Sequence, residues 1–324
     1  MRNFIVSDLH GNGYVYDSII NFLTNIEEYG NDSVCLYVNG DLIDIGINSG
    51  SMLVDIFKRI EDKDSINIEY LAGNHEQMLY KTYLLTKDLD YDEFLNKIDY
   101  PTVLNWIKAN YGYVTRDYLL KNYRKEDICK LIENVGYLNI YHKFNDLIDD
   151  KEILLVHACP IRTMNKNESI LLNENSPRVD ITLNVRREDV HFNLFDRNKI
   201  NIIGHTANFN FPGFLYDKAC SILNIDGGSK EFGYYENRYN PNNAILFKDY
   251  DEFFKNSLKN YSHVPLVEID SKNNRLNIFI FNHLNEIIDG YYLIEGNIYD
   301  MESNLLNSYR NNLKENVKVK KRKI

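Results

Sequence analysis

The chain has 324 residues, with 47 Asp plus Glu against 37 Lys plus Arg and a net charge of −10. That length allows a large α/β fold with a substantial core, and the acidic balance disfavours a nucleic-acid-coating role, which needs basic surface. No stretch approaches the roughly twenty apolar residues of a membrane span.

Met1-Arg2-Asn3 leads straight into Phe4-Ile5-Val6, without a signal-peptide pattern. A short apolar run bounded by Gly, Asn or Asp reads as a buried strand. This one ends in Asp8-Leu9-His10-Gly11. Val15, Ile19, Phe22, Leu23 and Ile26 then keep a 3.6-residue period, which predicts a helix. Cys35-Leu36-Tyr37-Val38 is the next strand and ends in Gly40-Asp41-Leu42-Ile43-Asp44. Met52, Leu53, Ile56, Phe57 and Ile60 repeat the helical period, and Tyr70-Leu71-Ala72 closes on Gly73-Asn74-His75-Glu76. Strands alternating with helices predict a parallel sheet with helices packed on it.

The alternation breaks after Glu76. Residues 77–145 read as a helical cap inserted beside the strand ends, with helices over 78–85, 94–98, 103–107 and 128–135. Its tyrosines and the chain's only tryptophan, Trp106, either shape a substrate cleft or pack the helices together. Strand runs resume at 153–156, before His157-Ala158, at 200–203, before Gly204-His205-Thr206, and at 222–225, before Asp226-Gly227-Gly228. Segments 244–247, 266–269, 276–281 and 287–294, with turns at Asn273-Asn274 and Asn285-Glu286, predict a second, more antiparallel sheet. Residues 304–313 read as a closing helix. Six Lys and Arg follow in 314–324, either a solvated terminus or a tail for phosphate or acidic partners. The expected division is a main domain over 1–300, containing the 77–145 cap, and a terminal helix and tail over 301–324.

The polar residues at the strand ends form an ordered set of two Asp, one Asn and three His, with a spare His and Asp. Oxygen and imidazole donors together suit divalent Mn²⁺, Fe²⁺ or Zn²⁺. In α/β sheets ligands gather at the carboxyl ends of strands. Two ions held there can clamp an in-line displacement at phosphorus. Cys35, Cys129, Cys159 and Cys220 show no paired spacing, as expected of reduced thiols in a cytoplasmic protein. Cys159 is two residues from His157, so a ligand role for it stays open.

The series D-L-H-G, G-D-L-I-D-I-G, G-N-H-E, H-A and G-H-T resembles the calcineurin-like metallophosphoesterases. Within them it looks most like the branch of serine/threonine phosphoprotein phosphatases and diadenosine-tetraphosphate hydrolases. The resemblance spans Asp8 to about Gly228. It implies a four-layer αββα sandwich and two divalent ions, Mn²⁺ ahead of an Fe/Zn pair. It implies that Asp8 and His10 hold one ion, Asp41 bridges both, and Asn74, His157 and His205 hold the other. His75 would act as general acid toward the leaving oxygen and Asp44 would orient it, with Asn74 also near the phosphate. Two departures stand out: Ile45 occupies the place of a phosphate-contacting arginine, and Gly227 replaces a frequent Thr. Arg186, with Arg187 as fallback, resembles a second phosphate-binding arginine, and Arg162 and Arg178 are lesser candidates. His142, His191, His263 and His283 have no motif around them and read as ordinary surface or core histidines. The implied activity is hydrolysis of phosphate monoesters, first on phosphorylated Ser/Thr of a protein. A dinucleoside polyphosphate or another small phosphate ester is the alternative, and a non-catalytic scaffold the remote one.

Overall fold

The computed structural model describes residues 1–29, 33–62, 66–160, 169–174, 176–185, 198–208, 212–229, 263–282 and 286–302. Arg2–Val6 forms β1, Gly13–Tyr29 α1, Val34–Asn39 β2, Ser49–Asp62 α2 and Asn67–Leu71 β3. β1 pairs with β2, and β2 with β3, in parallel. The periodic positions Val15, Ile19, Phe22, Leu23 and Ile26 of α1 are all buried.

The chain then builds α3 (Asn74–Thr86), α4 (Pro101–Leu104), a π-helical turn (Asn105–Ala109), α5 (Tyr113–Asn122) and α6 (Lys125–Gly136). Residues 94–98, expected as helix, are turns, and Leu95 takes a left-handed φ of 55° that a helix does not tolerate. The helix α5 has no counterpart in the apolar pattern, because its buried residues are only Thr115 and Leu119. Residues 141–145, assigned to the cap, instead belong to strand β4 (Tyr141–Ile148).

Strand β5 (Lys151–Val156), helix α7 (Pro177–Asn184), β6 (Lys199–Ile203), β7 (Leu215–Asp217) and β8 (Ile222–Asn224) follow. The last strands are β9 (Val264–Asp270), β10 (Arg275–Phe281), β11 (Ile287–Ile294) and β12 (Asn297–Asp300). Two sheets result, ordered β12-β11-β10-β9-β1-β2-β3 and β4-β5-β6-β8-β7. The late antiparallel strands therefore do not make a sheet of their own. They extend the first sheet, with β9 antiparallel to β1. Segment 244–247, Asn285 and the expected closing helix and tail lie outside the described residues.

Side-chain alternation explains the layers. β1 sends Phe4 and Val6 to the core shared with α1 and α2, and Ile5 to a second core. That second core joins Ile5, Tyr37 and Ile278 of one sheet to Ile153, Leu155 and Ile202 of the other. On the outer face of the second sheet, Leu154 and Val156 share a core with Val179 and Leu183 of α7. The architecture is an αββα sandwich. Asn39, at the end of β2, donates to the Val156 carbonyl at the end of β5 (3.1 Å), tying the two sheets together where the strand ends meet.

Candidate metal centre

Each polar motif sits on the turn that ends its strand, and these turns are bent unusually hard. Asp8, His10, Asp41, Asp44, Ile45 and His205 all take positive φ, between 45° and 69°. Side chains other than glycine seldom adopt this region, and such outliers concentrate at functional sites. Gly40 also has positive φ, and a Cβ there would lie 2.5 Å from the Gly73 amide and 2.8 Å from His157 Nδ1. The turns after β2 and β3 can approach this closely only because residue 40 has no side chain.

The turns place two sets of donors side by side. His10, Asp41 and His75 form one cluster, and Asp41, His157 and His205 form another; within each, the candidate ligand atoms lie within 4.8 Å of one another. Asp41 stands in both. Its Oδ2 is 3.6 Å from His10 Nε2, 3.4 Å from His157 Nε2 and 4.0 Å from His75 Nε2. Asn74 Oδ1 is 3.1 Å from His157 Nε2 and 2.8 Å from His205 Nδ1. Asp8 is in neither cluster. Its carboxylate accepts from the Ser7 hydroxyl and from the His205 amide (3.0 Å).

The donor set fits divalent metal. His10 Nδ1 faces the Ile43 carbonyl at 3.2 Å, and His157 Nδ1 faces the Asn39 carbonyl at 2.9 Å. A carbonyl only accepts, so each ring donates its Nδ1–H there and turns Nε2 to the centre, as metal-ligating histidines do. The charges also call for a cation. Burial, then the nearby Asp226, pushes the Asp8 carboxyl well above the usual carboxylate range. Burial opposes charge on Asp41 too, but His157 and then His75 outweigh it and hold Asp41 well below that range. Burial likewise opposes charge on His157, and Asp41 overrides it, lifting the imidazole to about 10. Divalent metal would compete with that proton. Cys159 stands apart: its buried thiol donates to the Pro160 carbonyl (3.6 Å) and belongs to neither donor cluster.

His75 and Asp44 are brought together. His75 Nδ1 lies 2.8 Å from Asp44 Oδ2, and the His75 amide donates to Asp41 Oδ1 (3.0 Å). Burial again works against charge on His75, but Asp41 and then Asp44 raise it to about 9. Its Nε2 points into the centre, 4.0 Å from Asp41 Oδ2.

Glu76 organises the turns, a part not assigned to it from the sequence. It is fully buried, and its two oxygens accept from the amides of Asp41 (2.8 Å), Leu42 (3.1 Å) and Gly73 (2.8 Å) and from the Tyr70 hydroxyl (2.7 Å). Its place three residues after Gly73, at the start of α3, is the spacing of a capping box and was the available signal. Trp106 and Thr115, both fully buried, reach Asp44 from the inserted helices. Trp106 thus packs inside the protein and does not line an open cleft. Ile45 is buried as well, at 2% exposure. Gly227 is explained by crowding, since a Cβ there would lie 1.6 Å from the His263 carbonyl oxygen. Arg186, Arg187 and Arg162 lie outside the described residues, and Arg178 is exposed on α7.

The sequence profile of the calcineurin-like phosphoesterases matches residues 1–209, most of the chain and every candidate ligand. The chain belongs to this family. Members of this family depend on a binuclear metal centre, and the two donor clusters that meet at Asp41 are candidates to hold one. Solved structures similar to this phosphoesterase include a cold-active protein-tyrosine phosphatase from a psychrophilic Shewanella sp., 14% identical over 93% of this chain and 80% of that one, with a TM-score of 0.45. A metallophosphoesterase from Sphaerobacter thermophilus is 13% identical over 87% of this chain and 88% of that one (TM-score 0.42). A protein serine/threonine phosphatase from Saccharomyces cerevisiae is 12% identical over 69% and 66% (TM-score 0.38). No curated protein matches this chain in sequence. Among the described residues, no helix is long and apolar enough to cross a membrane.

Proposed function

We propose that this phosphoesterase is a metal-dependent phosphatase acting on phosphate monoesters, with phosphorylated Ser or Thr side chains as its substrate class. The observation that carries the reading is Asp41 standing in both donor clusters. One carboxylate between two cation sites offsets the repulsion of two dications a few ångströms apart. Asp8, His10 and Asp41 would hold one ion, and Asp41, Asn74, His157 and His205 the other, with Mn²⁺ the favoured metal. Bound there, the ions supply Lewis acidity that activates water and offsets charge at phosphorus.

The remaining work falls to the chain's own side chains. Water attacks phosphorus in line, the bond from phosphorus to the leaving oxygen breaks, and that oxygen takes a proton from His75 Nε2. Asp44, hydrogen-bonded to Nδ1, holds the ring on its axis. Neutral Asn74 adds an oxygen donor without cancelling the positive charge that attracts phosphate. Ile45 can neither donate a hydrogen bond nor carry charge, so Arg186, or Arg187, would supply the cationic clamp. Turnover of phosphoseryl and phosphothreonyl peptides, dinucleoside polyphosphates and a generic aryl phosphate, with and without a chelator, tests the reading. Chelator-sensitive release of phosphate from the peptides supports it. Cleavage of the nucleotides alone moves the enzyme to small-molecule substrates, and no turnover of any ester removes the catalytic role.

A further inference from the structure

Asp44 is a fully buried carboxylate with three side-chain contacts, and two of the three partners come from the inserted helices. Trp106 Nε1 donates to Oδ2 at 2.8 Å, the same oxygen that faces His75 Nδ1. Thr115 donates its hydroxyl proton to Oδ1 at 2.6 Å, and the Thr115 oxygen accepts from the Asp44 amide at 3.2 Å. The backbone and both carboxylate oxygens of Asp44 are thus gripped at once, at a residue whose φ is +69°. Such a grip holds the carboxylate in one orientation, on a backbone conformation that residues other than glycine seldom adopt.

The inserted segment is shaped to deliver these two donors. Trp106 lies in a π-helical turn, a rare irregularity that re-aims side chains and is frequent at functional sites. Gly112 lets the chain fold onto the indole, since a Cβ there would lie 2.3 Å from ring atoms. Thr115 then falls in the first turn of α5. A packing role alone requires an apolar ring and an apolar β-branched side chain. It does not require an indole nitrogen and a hydroxyl aimed at the two oxygens of one carboxylate.

We propose that Trp106 and Thr115 are positioning residues for phosphoester cleavage, holding Asp44 so that His75 Nε2 is aimed at the leaving oxygen. The inference rests on the phosphatase reading above. The inserted helices are on this account a working part of the site, acting through Asp44 on the proton donor and leaving the metal ligands untouched.

The test uses the full chain carrying Trp106→Phe, Thr115→Val and Thr115→Ser, each compared on phenyl phosphate, a poor leaving group, and 2,4-dinitrophenyl phosphate, which needs no proton. Trp106→Phe and Thr115→Val should lower kcat on phenyl phosphate by about 10- to 100-fold, the usual loss when a supporting partner is removed. KM, metal content and kcat on the dinitrophenyl ester should stay near wild type, and Thr115→Ser should keep most of the activity. In a His75→Ala background neither substitution should cost anything further, because residues acting through one group are not additive. A readout independent of turnover exists because the chain has one tryptophan and hence one indole N–H resonance. Asp44→Asn should shift that resonance and speed its hydrogen exchange. Equal loss on both esters, an undiminished effect without His75, or an unmoved indole resonance would each overturn the inference. If Trp106→Phe does not fold, the Val and Ser variants at 115 decide the matter. An active wild type with unchanged variants overturns this inference alone. A wild type inactive on every ester overturns the phosphatase reading and takes the inference with it.

Discussion

Replacing Glu76 by Gln removes a charge and one acceptor while keeping the side chain's shape. Glu76 Oε2 accepts from the Asp41 and Gly73 amides, and Oε1 from the Leu42 amide and the Tyr70 hydroxyl. The carbonyl oxygen of Gln can replace only one of these two oxygens. It does best in the Oε2 position, where both partners are amides that can only donate. The NH₂ group then faces Tyr70, whose hydroxyl can rotate to accept, and the Leu42 amide, which cannot. One buried N–H is left without a partner against another donor. Losing one charge-assisted hydrogen bond in this way costs about 1.5–3 kcal/mol. The loss should appear as a lower urea midpoint with an unchanged slope, since the surface exposed on unfolding is the same. The Asp41 amide stays bonded, so metal content should be near wild type. An unchanged midpoint would show that the carboxylate does not bind these turns together, and a loss well beyond 3 kcal/mol would mean that both pairs of bonds had failed.

Gly227→Ala should cost about 1–3 kcal/mol or more, the range of overpacking, because its Cβ would meet the His263 carbonyl at 1.6 Å; a thermal midpoint at or above wild type would contradict this. His142 packs against the rings of Tyr37 and Phe144, and burial lowers it below its ordinary value of 6.5. The unfolded chain therefore takes up this proton first, so stability should fall as pH drops through about 6.5, by at most about 1.4 kcal/mol per pH unit. His142→Leu should reduce the slope of stability just below pH 6.5, by no more than that amount, measured by urea unfolding, and parallel curves would refute the assignment.

Those parts of the candidate site that come from a single strand and its turn are legible in the sequence. β1, β2, β3, β5, β6 and β8 each combine an apolar run with a polar stop, and both signals are local. Sheet membership was not legible in the same way. β9, β10 and β11 read correctly as strands, yet nothing local says that β9 pairs with β1 across some 260 residues. Trp106 and Thr115 were hidden for the same reason: they meet Asp44 at separations of 62 and 71 residues, and π-helical turns have no clear sequence signature. α5 was missed because it buries only two residues and so shows no stripe. Glu76 is visible in its motif, but its four bonds converge from the turn after β2, the turn after β3 and β3 itself, and only the assembled sandwich displays them.

Direct counting of metal in the wild-type protein and in Asp41→Asn tests the central claim most directly, because Asp41 alone stands in both donor clusters. Purified in Mn²⁺ and desalted, the wild type should carry two ions per chain. Asp41→Asn should lose most of this metal, and phosphate-ester turnover should fall with it. One ion or none in the wild type, or full metal and turnover in Asp41→Asn, would contradict a two-metal centre built around this carboxylate.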